Sequence, residues 1–487
     1  MVKLIQPLLF IFLMAGSAMM QAQEDQFYKI VSIPTPEGVP FEVSGLEALP
    51  DGRLVAAIRK GELWLIENAY ARDPGQVRFK RIASALHEPL GVLWHGDSLY
   101  VAQRGELTRL RDTNGDDVVD EYLTVCNDWG ITANYHEYAY GPKLDRNGHF
   151  WVTLNSTLGN KFATNDAWRG WGVRIEPSGK MIPECAGMRS PAGLGANAEG
   201  DMFFTDQQGN WVPTGTLHHL RTGAFYGHVD SLKSCALPGS PLPHPGPVPT
   251  GKLMPEAARE LPVLKLPTVW FPYRKMGMSA TDVVCDMTGG RFGPFAGQLF
   301  VGDFTMALVN RVFLEKVNGE YQGACFPFRK GFQSAVVRMA FGKNGSLFVG
   351  QTNRGWNSLG HRSYGLERLE WTGQLPFEIR EMRARKDGFD LVFTEPVNAA
   401  EASQASAYTM SSYTYIYRGD YGGPESDAKN LSIQSASVSG DGLRVTLTVN
   451  GLREGYVHEL LVTNLTSASG QPLLHKDAYY TLNQLPR

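Results

Sequence analysis

The chain has 487 residues, with 53 glycines, 29 prolines, 43% hydrophobic side chains and a formal net charge of −3. That length is enough for a large core and two domains, and the near-balanced charge excludes the basic face of a nucleic-acid binder. Its five cysteines (Cys126, Cys185, Cys235, Cys285 and Cys325) form no CxxC or CxxCH, which excludes a zinc ribbon, a thioredoxin motif and a c-type haem.

Residues 1–22 read as an export leader. Lys3 is their one charge, an apolar run covers Leu8 to Met14, and small residues lead to Ala22. The run is too short to span a bilayer, and no later stretch reaches the ~18–20 apolar residues of a spanning helix. The expectation is cleavage near Ala22, a periplasmic or secreted mature protein and no membrane span; the alternative is a buried first strand. An oxidising compartment would permit two disulfides, with one thiol left over.

A unit of turn glycine plus short apolar strand then recurs. It starts at Gly52, Gly96, Gly148, Gly200, Gly297 and Gly345, at spacings of 44, 52, 52, 97 and 48 residues. Repeats of this length are the signature of stacked supersecondary units, each too small to bury both its faces alone. Six units predict an all-β fold, a six-bladed β-propeller over residues 23–373, with an insertion in the fourth interval. Six prolines between Pro238 and Pro249 mark that insertion.

Between the second and third units lies Asp112-Thr113-Asn114-Gly115-Asp116-Asp117-Val118-Val119-Asp120. Asp112, Asn114, Asp116 and Asp120, with the Val118 carbonyl, offer the oxygen spacing of a short calcium loop. It departs from an EF-hand, since Leu123 stands at the twelfth position. The alternative is an exposed acidic hairpin turn.

The loops that precede the third and fourth turn glycines carry the candidate site. Asn134 to Pro142 contains His136 and Glu137; Arg189 and Ser190 stand eleven and ten residues before Gly200. Equivalent loops of neighbouring blades meet at one mouth of a propeller channel, where ligands bind. His136 and Arg189 are therefore expected to face one another, with Asp206 and Asn210 beyond the same strand. For His136 alone, a hydrogen-bonded structural histidine is the competing reading. Asn353, Arg354 and Trp356 mix an aromatic face with amide and guanidinium groups, a composition suited to sugar; the same loop would equally serve to close the ring. His218 and His219 point to opposite faces of a strand and do not suit one metal.

Arg189-Ser190-Pro191-Ala192-Gly193-Leu194, with its glycine turn eleven residues on, resembles the Arg-Asn-Pro-x-Gly-Leu motif of the glucose/sorbosone dehydrogenase-like propellers. That family includes the soluble quinoprotein glucose dehydrogenases, which use pyrroloquinoline quinone. The likeness spans roughly residues 38 to 373. It implies an oxidoreductase acting on sugar CH–OH groups, with His136 as the base on the sugar hydroxyl and Arg189 on the quinone oxygen. It also implies cofactor contacts from Ser190, Asp206, Asn210 and Arg338, substrate contacts from Glu137, Asn353, Arg354 and Trp356, and a redox partner protein to take the electrons. Three departures stand against the quinone: Ser190 replaces the motif's asparagine, Thr305 falls where the family has a cofactor lysine, and Ala335 and Val337 fall near two expected arginines, with only Arg338 close. The whole chain is similar to secreted bacterial proteins that join this propeller to a small β-sandwich. The functions in view are an exported sugar dehydrogenase-like protein with an altered or lost quinone site, or a non-catalytic module that binds carbohydrate or protein.

Beyond a linker at Trp371–Pro376 the pattern becomes strict alternation. Phe389, Leu391 and Phe393, then Leu443, Val445, Leu447 and Val449, alternate with mostly polar residues. Period two with one buried face, and an Asp441-Gly442 turn, predict an immunoglobulin-like β-sandwich over residues 374–487. Tyr413, Tyr415 and Tyr417 share one face of a strand there, either as a ligand surface or as packing at a core or seam.

Overall fold

The six turn glycines all adopt φ between 65° and 94°, the left-handed region that side chains with a Cβ disfavour. Each closes a hairpin between the first two strands of a sheet, so a local backbone requirement sets the repeat. The structure, a computed structural model, describes residues 22–159 and 165–487; the expected leader at residues 1–22 lies outside the described residues except for Ala22.

Four-stranded antiparallel sheets follow one another along the chain in the manner of propeller blades. The first four begin with Val43–Ala48, Val92–His95, Ala139–Leu144 and Gly193–Ala196; the fifth and sixth begin with Ala280–Cys285 and Val336–Phe341. Each of these first strands contacts the first strand of the next sheet, and the sixth contacts the first, which closes the ring. The inner strands approach closely: a Cβ on Gly193 would run into the Thr281 carbonyl of the neighbouring sheet. The long fourth interval is explained by residues 220–268, which intervene between the third and fourth strands of the fourth sheet, Gly215–His219 and Val269–Phe271.

Two long-range pairings complete the architecture. Tyr28–Ile33 supplies the outer strand of the sixth sheet, paired antiparallel with Tyr364–Trp371. At the fifth sheet the outer strand, Glu320–Arg329, pairs with Asp477–Leu482 near the end of the chain. The C-terminal strands thereby extend that sheet to eleven strands. Their core is shared as well: Phe313, Ala324 and Phe326 pack with Phe377, Phe389, Leu391, Val445, Leu447 and Tyr480. The predicted alternation is visible here, since Phe389, Leu391, Val445 and Leu447 are all buried while Arg444 is exposed.

Tyr413, Tyr415 and Tyr417 are buried and belong to the same core as Trp270 and Met254 of the ring. Tyr417 donates to the Gly227 carbonyl at 2.7 Å, and Tyr415 lies 4.7 Å from Trp270. The three do not share one strand, since Tyr413 lies in Tyr408–Thr414, Tyr417 in Ile416–Tyr421 and Tyr415 between them; together they form a seam between ring and C-terminal region. All five cysteines are free. No helix among the described residues is long and apolar enough to cross a membrane.

Candidate functional site

His136 and Arg189 sit on the loops that lead into the first strands of the third and fourth sheets, and these loops meet. His136 Nδ1 donates to the Ser156 carbonyl at 2.7 Å. A carbonyl only accepts, so Nδ1 carries the proton and Nε2 presents its lone pair. That lone pair accepts the Ser190 hydroxyl at 2.8 Å. The Ser190 oxygen in turn accepts Arg189 Nη1 at 3.2 Å, so one hydroxyl bridges imidazole and guanidinium. Burial pulls the His136 pKa down to about 4, and the charges of Arg189, Arg104 and Arg169 act in the same direction. The ring is neutral at physiological pH.

Asp206 ends the second strand of the fourth sheet and organises this loop. Its carboxylate accepts the backbone N–H groups of Arg189 at 2.8 Å, Ser190 at 2.7 Å and Gln207 at 2.9 Å. Burial raises its pKa to about 6. It is a backbone clamp that holds Arg189 and Ser190 in place.

The two loops open into a cavity of ≈ 500 Å³ at the channel mouth, lined also by Tyr138, Asn155, Arg338, Arg354 and Trp356. Among the described residues four arginines line it (Arg59, Arg189, Arg338 and Arg354) and no carboxylate does. Three of them are already partnered. Arg59 pairs with Glu42 at 3.1 Å and lies 3.6 Å from Glu88. Arg354 pairs with Glu88 at 2.6 Å, donates to the Tyr138 hydroxyl at 2.8 Å and lies over that ring. Arg338 donates to the carbonyls of Ala192, Val337 and Leu90 and packs over Tyr140. Arg189 differs: Nη1 makes only the Ser190 bond and a long 3.5 Å contact to the Gln208 carbonyl, and Nε is buried without a partner among the described residues. Its guanidinium lies 5.1 Å from the Tyr421 ring.

The cavity thus gathers His136, Arg189, Ser190, Arg338, Arg354 and Trp356 from the sequence reading. Four expected members lie elsewhere. Glu137 is fully buried, and its oxygens are taken by Thr132 and Thr157. Asp206 is the clamp already described. Asn210 pairs across to Tyr421 and donates to the Gly419 carbonyl. Asn353 accepts the Gly355 N–H within its own turn. In each case a backbone or hydroxyl group, from as far along the chain as Gly419 for Asn210, takes the side chain's hydrogen bond.

The acidic loop is likewise turned on itself. Asp112 accepts the N–H groups of Asn114, Gly115, Asp116 and Asp117. Asn114 accepts Asp116 N–H, Asp116 accepts Val118 N–H, and Asp120 accepts from Thr113. Among the described residues no three His, Cys, Asp or Glu side chains come together as a metal-holding group. Asp112, Asp116 and Asp120 thus do not form such a group; these carboxylates act as turn acceptors. His218 and His219 stack on Phe204 and Phe203 respectively.

Tyr421 and Asn155 were missed by the sequence reading. Asn155 stands next to the loop residue Ser156 but carries no motif. Tyr421 comes from Ile416–Tyr421 of the C-terminal region, which pairs with Asn210–Trp211 and with Lys252–Leu253. No local pattern links it to a site built from residues so distant in the chain.

Residues 76–324 match a family described as a domain of unknown function, DUF7133. The chain belongs to this family. No curated protein matches. Among solved structures, a putative oxidoreductase (glucose dehydrogenase) of Thermus thermophilus is 16% identical with TM-score 0.51, over 70% of this chain and 99% of that one. A second structure, named as glucose dehydrogenase, is 15% identical with TM-score 0.52, over 71% and 99%. The PQQ-bound aldose sugar dehydrogenase of Streptomyces coelicolor is 13% identical with TM-score 0.49, over 70% and 98%. At these identities the first two show the fold alone: over about 70% of its length this DUF7133 chain shares the architecture of those two structures.

The residues present do not fit pyrroloquinoline quinone. A tricarboxylate needs several uncommitted cations, and this cavity offers one among the described residues. Arg59 and Arg354 are neutralised by glutamates, Arg338 is held by carbonyls, and Thr305 lines the wall where the resemblance implies a lysine.

Proposed function

We propose that this DUF7133 chain is an exported six-bladed β-propeller, joined to an immunoglobulin-like sandwich, that has kept the sugar site of the dehydrogenase-like propellers and lost the quinone site. It is a saccharide-binding protein. The observation that carries this reading is the cavity itself: a polar-and-aromatic mouth of ≈ 500 Å³ with one uncommitted guanidinium. A cavity of that size suits a small ligand. The His136 lone pair and the Ser190 hydroxyl would exchange their mutual bond for bonds to a sugar hydroxyl. Arg189 would donate to a ring or carboxyl oxygen, while Trp356 offers an apolar face.

A dehydrogenase reading has one observation in its favour. His136 is neutral, with its lone pair beside a cation, the arrangement a base needs to take a proton from a CH–OH group. The experiment that separates the two adds pyrroloquinoline quinone and calcium to purified protein, with a redox dye and a panel of aldoses. The expected outcome is sugar binding by calorimetry without dye reduction. Sugar-dependent dye reduction that vanishes in His136→Ala would overturn the loss of the quinone site and restore an oxidoreductase with a redox partner.

A further inference from the structure

Three of the large apolar side chains most exposed on the molecule stand at this one cavity. Tyr135, Trp356 and Tyr421 are 59%, 62% and 59% exposed, and all three line its mouth. They come from three separate parts of the chain: the loop before the third sheet, the loop after the second strand of the sixth sheet, and the C-terminal region. Exposed aromatic rings clustered on a rim mark a binding surface rather than a core. Being outside the floor, where His136 and Ser190 lie, they would contact parts of a ligand that extend beyond its first ring.

The floor adds a charge preference. Among the described residues its lining has four arginines and no carboxylate, and only Arg189 lacks a committed partner. Its Nε is buried with no acceptor, and its Nη2 makes no protein hydrogen bond among the described residues. Nε is enclosed by the protein, so the donors left for a ligand are those at the end of the guanidinium: Nη2, which makes no hydrogen bond among the described residues, and Nη1, which makes one bond to a hydroxyl and one long contact to a carbonyl. The two Nη groups at that end can take both oxygens of a carboxylate. One such end accommodates one carboxylate, which is why it suits a sugar acid and not a tricarboxylate.

We propose that the ligand is an acidic oligosaccharide. The carboxylate of a uronic acid residue would sit on Arg189, that residue's hydroxyls on His136 and Ser190, and the following rings against Trp356, Tyr421 and Tyr135. This inference rests on the saccharide reading above and names its substrate class. It also gives the C-terminal region a role in the site, because Tyr421 is its contribution to the wall.

The test measures binding of glucuronate and galacturonate, and of their tetramers, against glucose, galactose and their neutral tetramers, by calorimetry on the full chain. Acidic ligands should bind at least about tenfold tighter than neutral counterparts, with the advantage falling as salt rises. Arg189→Gln should abolish that advantage. Arg189→Lys, which keeps the charge and the fold but not the planar fork, should lose most of it. Tyr421→Ala and Trp356→Ala should erase the gain of tetramer over monomer. Equal binding of acidic and neutral sugars would overturn the carboxylate assignment and leave the saccharide reading standing. Binding of no saccharide at all would overturn both. An acid preference that survives both Arg189 variants would overturn the role of Arg189.

Discussion

Two buried histidines in this protein carry opposite charge states. His136, at the channel mouth, is 8% exposed; His475, in the seam between the two ends of the chain, is 4% exposed. Burial pulls both toward the neutral form. At His475 the carboxylates of Glu378, 2.6 Å from Nδ1, and Glu24, 3.2 Å from Nε2, outweigh it and carry the pKa up to about 9. Arg329 completes the cluster with a 2.9 Å bond to Glu24. At His136 the neighbouring charges are arginines, which add to burial and take the ring down to about 4. The seam histidine is fully answered by its partners and acts as a staple. The mouth histidine holds a lone pair against a movable hydroxyl, beside a guanidinium with an open end. Satisfaction separates structure from site here, since burial is nearly the same.

The largest effect should come from breaking the staple. His475→Ala leaves Glu24 and Glu378 buried without their shared partner, and losses of about 3–5 kcal/mol are typical when one member of a buried ion pair is removed. Urea unfolding at neutral pH should show this, with both long-range pairings weakened because Glu24 precedes the first strand and His475 precedes the last. A change under about 1 kcal/mol would mean that the cluster behaves as a surface pair.

The same cluster sets an alkaline limit. His475 has a folded pKa raised to about 9, so its contribution is fully present below the ordinary histidine pKa of about 6.5 and is lost as pH rises through 9. Unfolding free energy measured between pH 7 and pH 10 should fall in the native protein, and should fall less in His475→Ala.

At the mouth the effect on stability should be smaller and the effect on binding larger. His136→Ala strips partners from the Ser190 hydroxyl and the Ser156 carbonyl, a cost of about 1–3 kcal/mol, and should remove saccharide binding. The folded pKa is lowered to about 4. Its stability term is therefore intact above about 6.5 and erodes as pH falls from there toward 4, the reverse of His475. Saccharide binding should stay flat from pH 8 to pH 5 and drop only near pH 4. A binding midpoint near 6.5 would contradict the buried neutral ring.

The smallest effect belongs to the acidic loop. Asp112→Ala removes the acceptor of four backbone N–H groups, so a minor loss in thermal stability is expected, below that of either histidine variant. Chelator should leave the melting temperature unchanged. A chelator-sensitive melt that Asp112→Ala eliminates would reinstate calcium at this loop.

The repeat was legible because it is local. A hairpin that needs positive φ selects glycine, and six such positions stand in order along the chain. The meeting of His136 and Arg189 was legible for a related reason: equal offsets from equivalent turns place two loops at the same end of adjacent sheets. Glu137, Asp206, Asn210 and Asn353 do not line the cavity, because a polar side chain one or two residues from a site has the same composition whether it faces the cavity or another part of the chain. Their hydrogen bonds are decided by which backbone group or hydroxyl lies nearest, a matter of ångströms rather than of spacing.

By itself, then, the sequence determined the all-β character, the order of the turns and the pair of loops that carry the site, since each follows from short-range backbone chemistry. Only the tertiary structure decided how the ring closes, with Tyr28–Ile33 against Tyr364–Trp371, and how the C-terminal strands join the fifth sheet through Asp477–Leu482. Strand edges offer the same N–H and C=O groups whatever their side chains, so such partners are chosen by packing across hundreds of residues. That choice brings Tyr421 over Arg189, and it turns a channel mouth of the ring into a cavity with a wall from the far end of the chain.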